Sequence, residues 1–220
     1  MHMHVGPVAA APSEGGRQMG VGDGPRRIRQ TVLIAMALTL VAGEAFAHSG
    51  HGDGTGFANG FLHPIFGPDH VIAMVAVGLW GVFLGAPAIW VLPIVFPLVM
   101  AFGGVLGILH VPLPAVETGI ALSAIVLGLC VAFALKPPLW TAIIIVGVFA
   151  VFHGHAHGAE MPETSDALSF ALGFVIATGL LHLCGIAFGF LARWPVGALA
   201  VRAAGGLIAI AGGAYLSGFA

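Results

Sequence analysis

Two imidazoles and a carboxylate lie at the start of a long apolar segment. His63 is followed by Asp69 and His70, and the next fourteen positions, 71–84, carry no charged side chain. Ionisable groups are costly beside hydrocarbon, so at the mouth of a membrane segment they indicate part of an ion or substrate path. Imidazole and carboxylate together are typical ligands of a metal ion.

Two prolines and a glycine, Pro64, Gly67 and Pro68, interrupt the chain between these histidines. Proline lacks the backbone donor that a helix interior needs, so a regular helix is excluded here. We predict a short helix, a break and a membrane span that begins at Asp69. Such irregular backbone is tolerated at membrane depth only where it lines a cavity. A simpler role for Asp69 stays open, because a carboxylate is also favoured at a helix N-terminus.

A second group of ligands follows further along the chain. In a helix, His153, His157 and Glu160 would share one face at spacings of four and three residues. Imidazole plus carboxylate suits Ni²⁺, Co²⁺ or Zn²⁺ better than Mg²⁺ or Ca²⁺. This pattern predicts a metal site, and a solvated surface turn is the alternative.

Two further candidates stand alone. Glu117 follows Pro114 by three residues near the predicted outer end of a span, as a path ligand or as a plain surface acid. His182 falls near the middle of an apolar run. It is either a ligand or a histidine that hydrogen-bonds to Thr178 or Ser169.

The composition predicts the setting of these residues. Of 220 residues, 59% are hydrophobic and 7% are charged, against about 25% charged in soluble domains. The net charge of −2 and the lack of a basic stripe exclude nucleic acid as a partner. Cys130 and Cys184 fall in apolar runs, so we expect two buried thiols and no disulfide.

The first 47 residues have the order of a secretory signal peptide. The basic stretch 26–29 precedes the apolar run 31–42, and Ala45-Phe46-Ala47 supplies a cleavage site after Ala47. We therefore divide the chain into an extension and signal peptide, 1–47, and a polytopic transmembrane domain, 48–220. Retention of the segment as an uncleaved first helix is the alternative.

The rest predicts an all-α integral membrane protein, a polytopic bundle of about six transmembrane helices. Each span has the length that a hydrocarbon core of about 30 Å requires. The predicted spans are Asp69–Gly85, Ala88–Leu109, Pro114–Leu135, Leu139–His155, Ala167–Ala192 and Pro195–Phe219.

Charge predicts the orientation in the bacterial inner membrane. A periplasmic mature N-terminus puts Lys136, Arg193 and Arg202 toward the cytoplasm, as the positive-inside rule requires. The same threading collects the acids outside, where they attract cations. His48 and His51 would form a metal-collecting tail or a flexible linker. The outer acids are Asp53, Asp69, Glu117, Glu160, Glu163 and Asp166.

The chain resembles the HupE/UreJ family of hydrogenase and urease accessory proteins. The similarity covers about Gly60 to Gly185 in four blocks, the last of which is the Leu181-His182 region. The other three are Gly60-Phe61-x-His63-Pro64-x-x-Gly67-x-Asp69-His70-x-x-Ala73-Met74-x-Ala76-Val77-Gly78-Leu79-Trp80, Glu117-x-Gly119-Ile120-Ala121 and Phe152-His153-Gly154-x-Ala156-His157-Gly158-x-Glu160.

The resemblance implies an inner-membrane permease for Ni²⁺, or alternatively Co²⁺, that serves metalloenzyme maturation. It implies that His63, Asp69, His70 and Glu117 matter for uptake. In the mechanism we predict from the residues, His182 is the next ligand inward. The transported ion and the lipid bilayer are the expected partners, and no prosthetic group is expected. A homo-oligomer and a cytoplasmic metallochaperone are further candidates.

The sequence leaves two other classes of membrane protein possible. A zinc-dependent intramembrane hydrolase would use three protein ligands and an open position on the metal. It would also need a nucleophile or base, and the serines Ser123, Ser169 and Ser217 show no motif. A haem-binding electron-transfer subunit would need paired mid-membrane histidines, whereas only His182 is expected to lie deep.

Overall fold

The structure is a computed structural model that describes residues 1–2, 56–161 and 166–219. The predicted signal peptide, the cleavage site, His48, His51, Asp53 and Glu163 lie outside the described residues. Within the described part the chain is helical and contains no strand. The helices are α1 Gly56–Phe66, α2 Pro68–Leu84, α3 Ala88–Ile108, α4 Val116–Ala132, α5 Leu139–Glu160, α6 Ala167–Gly189 and α7 Pro195–Ser217, and a 3₁₀ turn, Phe190–Arg193, joins α6 to α7.

The protein is a multi-pass membrane protein with helical spans. Four helices, α3, α5, α6 with its 3₁₀ turn, and α7, are long and apolar enough to cross a membrane. Helices α1 and α2 together give a fifth candidate, bent by 77° at the break between them. Helix α4, at 17 residues, is shorter. The count of six spans therefore stays a prediction, whereas the short helix and break before Asp69 are confirmed.

The predicted C-terminal end of the fourth span was wrong, and the correction changes where the candidate ligands lie. The span expected to end at His155 continues as helix α5 to Glu160. His153, His157 and Glu160 are therefore on one continuous helix, as their spacing required. The alternative of a solvated turn is excluded for this segment, since His153 and His157 are buried.

Glycines decide how closely α5 approaches α3. A Cβ atom at Gly154 would collide with the backbone of Met100, and one at Gly158 would collide with the backbone of Gly104. Because both positions lack a side chain, the two helix backbones come into direct contact. This contact fixes the last turns of α5 against the bundle, which is where His153 and His157 lie.

Close packing at glycine positions also joins α2 to α6. Gly78 on α2 and Gly185 on α6 face each other, and a Cβ on either would collide with the backbone of the other helix. The core between the helices is apolar and includes Met74, Trp80 and Phe96, each 0% exposed. The two cysteines are free, as expected. The expectation that both are buried was wrong for Cys184, which lies on the outward face of α6.

Candidate metal site

Four histidine rings from three helices meet at one end of the bundle. His63 lies near the end of α1, His70 in the first turn of α2, and His153 and His157 near the end of α5. The centre of the His157 ring lies 4.8 Å from that of His63 and 4.3 Å from that of His70. The His70 and His153 ring centres are 5.2 Å apart. The two sequence motifs therefore form one cluster, which we call the histidine cluster.

The break at Gly67 allows the α2 ligands to reach this cluster. Gly67 precedes α2 as its N-cap residue in an extended conformation, and no side chain caps the helix there. Asp69 is therefore in the first turn but is not the N-cap. A Cβ atom at Gly67 would lie 2.6 Å from Nδ1 of His70. Only glycine leaves room here for the His70 ring.

Asp69 acts on the neighbouring histidine. Its Oδ1 atom lies 2.8 Å from Nδ1 of His70, and the side chains are 28% and 10% exposed. A carboxylate only accepts hydrogen bonds, so Nδ1–H of His70 donates to Asp69. The other nitrogen, Nε2, then carries a lone pair, as in the carboxylate–histidine–metal arrangement of many metal sites.

Three ligands from two helices are close enough to share one metal ion. One ligand atom from each of His63, His157 and Glu160 can be chosen so that all lie within 4.8 Å of one another. Nε2 of His63 lies 3.0 Å from Nδ1 of His157. Two nitrogens each about 2.1 Å from one ion are about 3.0 Å apart at a right angle. At this distance one ring N–H donates to the other ring nitrogen.

Aromatic rings enclose the cluster on the side of α6. The Phe174 ring centre lies 4.4 Å from that of His157 and 6.3 Å from that of His63. Phe170 lies against His63 at 6.1 Å. These rings exclude water from the inner side of the imidazoles. A less solvated site strengthens the attraction between a cation and its ligands.

Exposure falls steadily along the ligands. Glu160 is exposed and Asp69 is partly exposed, whereas His70 and His157 are 8% and 6% exposed and His153 is 0% exposed. The cluster therefore leads from the outside of the bundle toward its interior. His153 is deeper than the sequence suggested, since only His182 was expected to be buried at depth.

The structure brings Ser123 to His153, which the sequence analysis missed. Oγ of Ser123, on α4, lies 2.9 Å from Nε2 of His153 and is fully buried. Its hydroxyl also donates to the carbonyl of Ile120 at 2.6 Å. No local motif marks this serine, because its partner is thirty residues away. The available signal was its position two residues after Ala121, the last residue of the second block of the family resemblance.

Glu117 and His182 lie outside the histidine cluster. Glu117 is exposed in the first turn of α4, within electrostatic reach of Glu160. His182 is 0% exposed, and in the described part of the chain neither of its ring nitrogens has a hydrogen-bond partner. The expected alternative, a hydrogen bond to Thr178 or Ser169, is therefore wrong.

Phe96 separates His182 from the cluster. Its ring centre lies 5.7 Å from that of His153 and 5.4 Å from that of His182. Along α6, His182 is eight residues beyond Phe174, about 12 Å at the rise of a helix. It also lines a groove whose other walls are apolar and aromatic side chains and Gly179. His182 thus has no second ligand beside it among the described residues.

His155 has a different role from its neighbours on α5. Its Nε2 donates to the carbonyl oxygen of Val111, beyond the end of α3, at 2.8 Å. The ring therefore points away from His153 and His157 and ties α5 to the loop before α4. This contact is structural.

Both a curated protein and a family model match this chain over most of its length. The chain is 49% identical over 189 residues to the curated "Protein HupE" of Rhizobium leguminosarum bv. viciae, covering 86% of this chain and 96% of the relative. No solved structure gives a significant match. The family model described as "HupE / UreJ protein" matches residues 36–215. With its clustered motif histidines and a family match over most of its length, the chain belongs to the HupE/UreJ family.

Proposed function

We propose that this protein is an inner-membrane permease that takes up Ni²⁺, or alternatively Co²⁺, for metalloenzyme maturation. The observation that carries the proposal is the line of imidazoles in mutual contact from exposed Glu160 to buried His153. Membership of a family named for hydrogenase and urease accessory proteins also supports a role in metal uptake for metalloenzyme maturation. The ion is the cargo in this proposal, and no prosthetic group is involved.

The ligand chemistry favours a borderline transition metal. Imidazole nitrogens with one or two carboxylates bind Ni²⁺, Co²⁺ and Zn²⁺, while Mg²⁺ and Ca²⁺ prefer sites made of oxygen. Four of the candidate ligands are imidazoles, and the two nearby carboxylates, Asp69 and Glu160, lie at the outer side. The cluster would therefore reject the abundant alkaline-earth ions.

The order of exposure suggests the order of binding. Glu160 and Glu117, both exposed, would attract a hydrated cation. His63, His157 and Glu160 would replace part of its water shell as the first protein ligands. Asp69 would orient His70 and offset part of the charge. The ion would then pass Phe96 toward His182, from where a cytoplasmic metallochaperone or a partner copy in a homo-oligomer would receive it.

The ends of the bundle support a periplasmic site. Arg202 donates through Nε to the carbonyl of Ala132, at the end of α4 opposite to Glu117. With Lys136 and Arg193 in the adjoining loops, this is the basic end, which the positive-inside rule assigns to the cytoplasm. The histidine cluster would then face the periplasm, where the mature N-terminus would also lie.

A serine hydrolase mechanism is disfavoured by the polarity of the Ser123–His153 pair. In an activated nucleophile the histidine accepts the serine proton. Here the hydroxyl of Ser123 donates to Ile120 and can only accept from His153. This direction argues against Ser123 as the nucleophile of a hydrolase. We infer from family membership that the protein acts as a transporter and not as an enzyme, with a zinc-dependent intramembrane hydrolase as the alternative.

Uptake of ⁶³Ni²⁺ by cells tests the proposal. Cells expressing the wild type, a His70→Ala variant or no protein would be compared, with Co²⁺, Zn²⁺ and Mg²⁺ as competitors. We expect energy-dependent accumulation that is lost in the variant and is blocked by Co²⁺ but not by Mg²⁺. Accumulation no higher than in empty cells, despite confirmed membrane insertion of the wild type, would overturn nickel transport.

A further inference from the structure

Three buried nitrogens in the histidine cluster lack partners although their rings are held by other groups. They are Nε2 of His70, Nδ1 of His153 and Nε2 of His157, and no hydrogen-bond partner for any of them lies among the residues described. Buried polar atoms in proteins are almost always paired, so unpaired ones need a specific explanation. Each of these atoms belongs to a ring whose other nitrogen is already engaged.

Ser123 fixes which nitrogen of His153 carries the proton. The distance of 2.6 Å between Oγ of Ser123 and the carbonyl oxygen of Ile120 requires a hydrogen between the two oxygens. The single hydroxyl proton is therefore used, and Oγ can only accept from Nε2 of His153, 2.9 Å away. His153 thus has its proton on Nε2 and a lone pair on Nδ1.

Asp69 fixes the tautomer of His70, as Ser123 fixes that of His153. Its carboxylate accepts from Nδ1–H, which leaves the lone pair on Nε2. The two rings therefore carry their lone pairs on opposite kinds of nitrogen, Nε2 in one and Nδ1 in the other. In both rings the lone pair belongs to the unpartnered atom.

The spacing of the rings sorts the four imidazoles into two pairs. With a metal–nitrogen bond of about 2.1 Å, two ring centres sharing an ion are about 4.6 Å apart at a right angle and about 5.3 Å apart at the tetrahedral angle. The pairs His63–His157 at 4.8 Å and His70–His153 at 5.2 Å fall in this range. The ring centres of His70 and His157, 4.3 Å apart, and those of His63 and His70, 6.0 Å apart, lie outside this range.

We propose that His70 and His153 form a second, inner position for the transition-metal ion, and that Ser123 is its positioning residue. The ion would move to this bis-imidazole position from the outer ligands His63, His157 and Glu160. This inference rests on the proposed transport function, because it names a step within the same path. It assigns Ser123, on a third helix, a role in metal binding through the tautomer of His153.

Removal of two of the three outer ligands disrupts the outer site, while His157 is kept because its ring also contacts His70. A His63→Ala/Glu160→Gln double variant, purified in lipid nanodiscs, would be titrated with Ni²⁺ alone and the bound metal counted after equilibrium dialysis. We expect one weakly bound Ni²⁺ per chain, which disappears when His153→Ala is added to the same background. Equal binding with and without His153→Ala, or no binding in the double variant, would overturn the inner position.

The tautomer of His153 can be measured without metal. In protein labelled with ¹⁵N in the histidine rings, solid-state NMR separates protonated from unprotonated nitrogens, and the spectrum of His153→Asn assigns the signal. We expect Nε2 protonated in the wild type and in Ser123→Thr, and a mixture of tautomers in Ser123→Ala. An unchanged wild-type signal in Ser123→Ala would overturn the positioning role.

Binding by the serine variants completes the test. In the His63→Ala/Glu160→Gln background, Ser123→Ala should weaken Ni²⁺ binding by about tenfold, as for other groups that orient a ligand, and Ser123→Thr should retain it. Ser217→Ala is the matched control, because its hydroxyl bonds only to the backbone of its own helix. These measurements use purified protein, so failed uptake in cells would contradict the transport proposal separately from the inner position.

Discussion

The two ends of the helix bundle use their polar side chains in different ways. At the basic end, Nε1 of Trp80 donates to the carbonyl of Leu135 at 2.9 Å and Nε of Arg202 donates to that of Ala132 at 2.7 Å. At the other end, side chains bond mainly to one another, as in the pairs Asp69–His70 and His63–His157.

The two ends differ in whether their polar side chains have atoms without a hydrogen-bond partner. The donors of the basic end satisfy backbone carbonyls at and just after the C-terminal end of α4, and these carbonyls would be costly in a membrane if they were left unpaired. Buried imidazole nitrogens at the histidine end have no such partner within the described chain. The first end therefore holds helices together, whereas the second keeps lone pairs available for an ion.

The largest effect on metal uptake is expected from His157, whereas His155 on the same helix should have little effect. His157→Ala removes the ring that contacts both His63 and His70, so we expect ⁶³Ni²⁺ uptake to fall by about 100-fold, at the upper end for disrupted metal sites. His155→Ala is the matched control, since its ring bonds to the Val111 carbonyl. Similar losses in the two variants, at equal protein amounts in the membrane, would remove the distinction between ligand and structural histidine.

A smaller effect is expected from the break before α2. In Gly67→Ala the new Cβ would lie 2.6 Å from Nδ1 of His70, so the Asp69–His70 pair must shift. We expect Ni²⁺ affinity in nanodiscs to fall by about tenfold, as when a ligand loses its orienting partner. Gly179→Ala is the control, because no atom beyond the neighbouring backbone of its own helix lies within 4 Å of a Cβ at that position. An affinity equal to that of the control would show that the site tolerates the shift.

His182 tests whether the path extends beyond the cluster. It has no second ligand beside it in the region described, so His182→Leu should leave Ni²⁺ affinity of the purified protein unchanged. As a step inward it should lower uptake by less than about tenfold, the lower limit for changed metal sites. A loss of affinity would place His182 in the binding site itself, and unchanged uptake would remove it from the path.

A substitution at the basic end should lower the stability of the protein without changing metal uptake. Trp80→Phe removes the hydrogen bond to Leu135 and should lower the free energy of unfolding by about 1 kcal/mol. Uptake per inserted molecule should stay at the wild-type value, because Trp80 lies ten residues after His70 on α2, about 15 Å along the helix. Unfolding in denaturant and uptake normalised to protein amount measure the two quantities. A loss of normalised uptake would contradict the separation of the two ends.

The sequence predicted the local elements well for a clear physical reason. Apolar runs and prolines specify helices through nearest-neighbour effects, so the helices and the break before Asp69 follow from the chain itself. The face shared by His153, His157 and Glu160 follows from helical periodicity in the same way. The end of α5 was misplaced because the histidines were taken as interfacial rather than buried.

The amino-acid sequence by itself determined the membrane class, the ligand types and their grouping into two motifs. Only the tertiary structure decided that His63 meets His157 across 94 residues, that Ser123 holds His153, and that His182 stands apart behind Phe96. Those contacts depend on how helices pack at glycine positions such as Gly154 and Gly158. Periodicity shows which face a residue occupies, but the partner opposite that face is set by packing between segments distant in the chain.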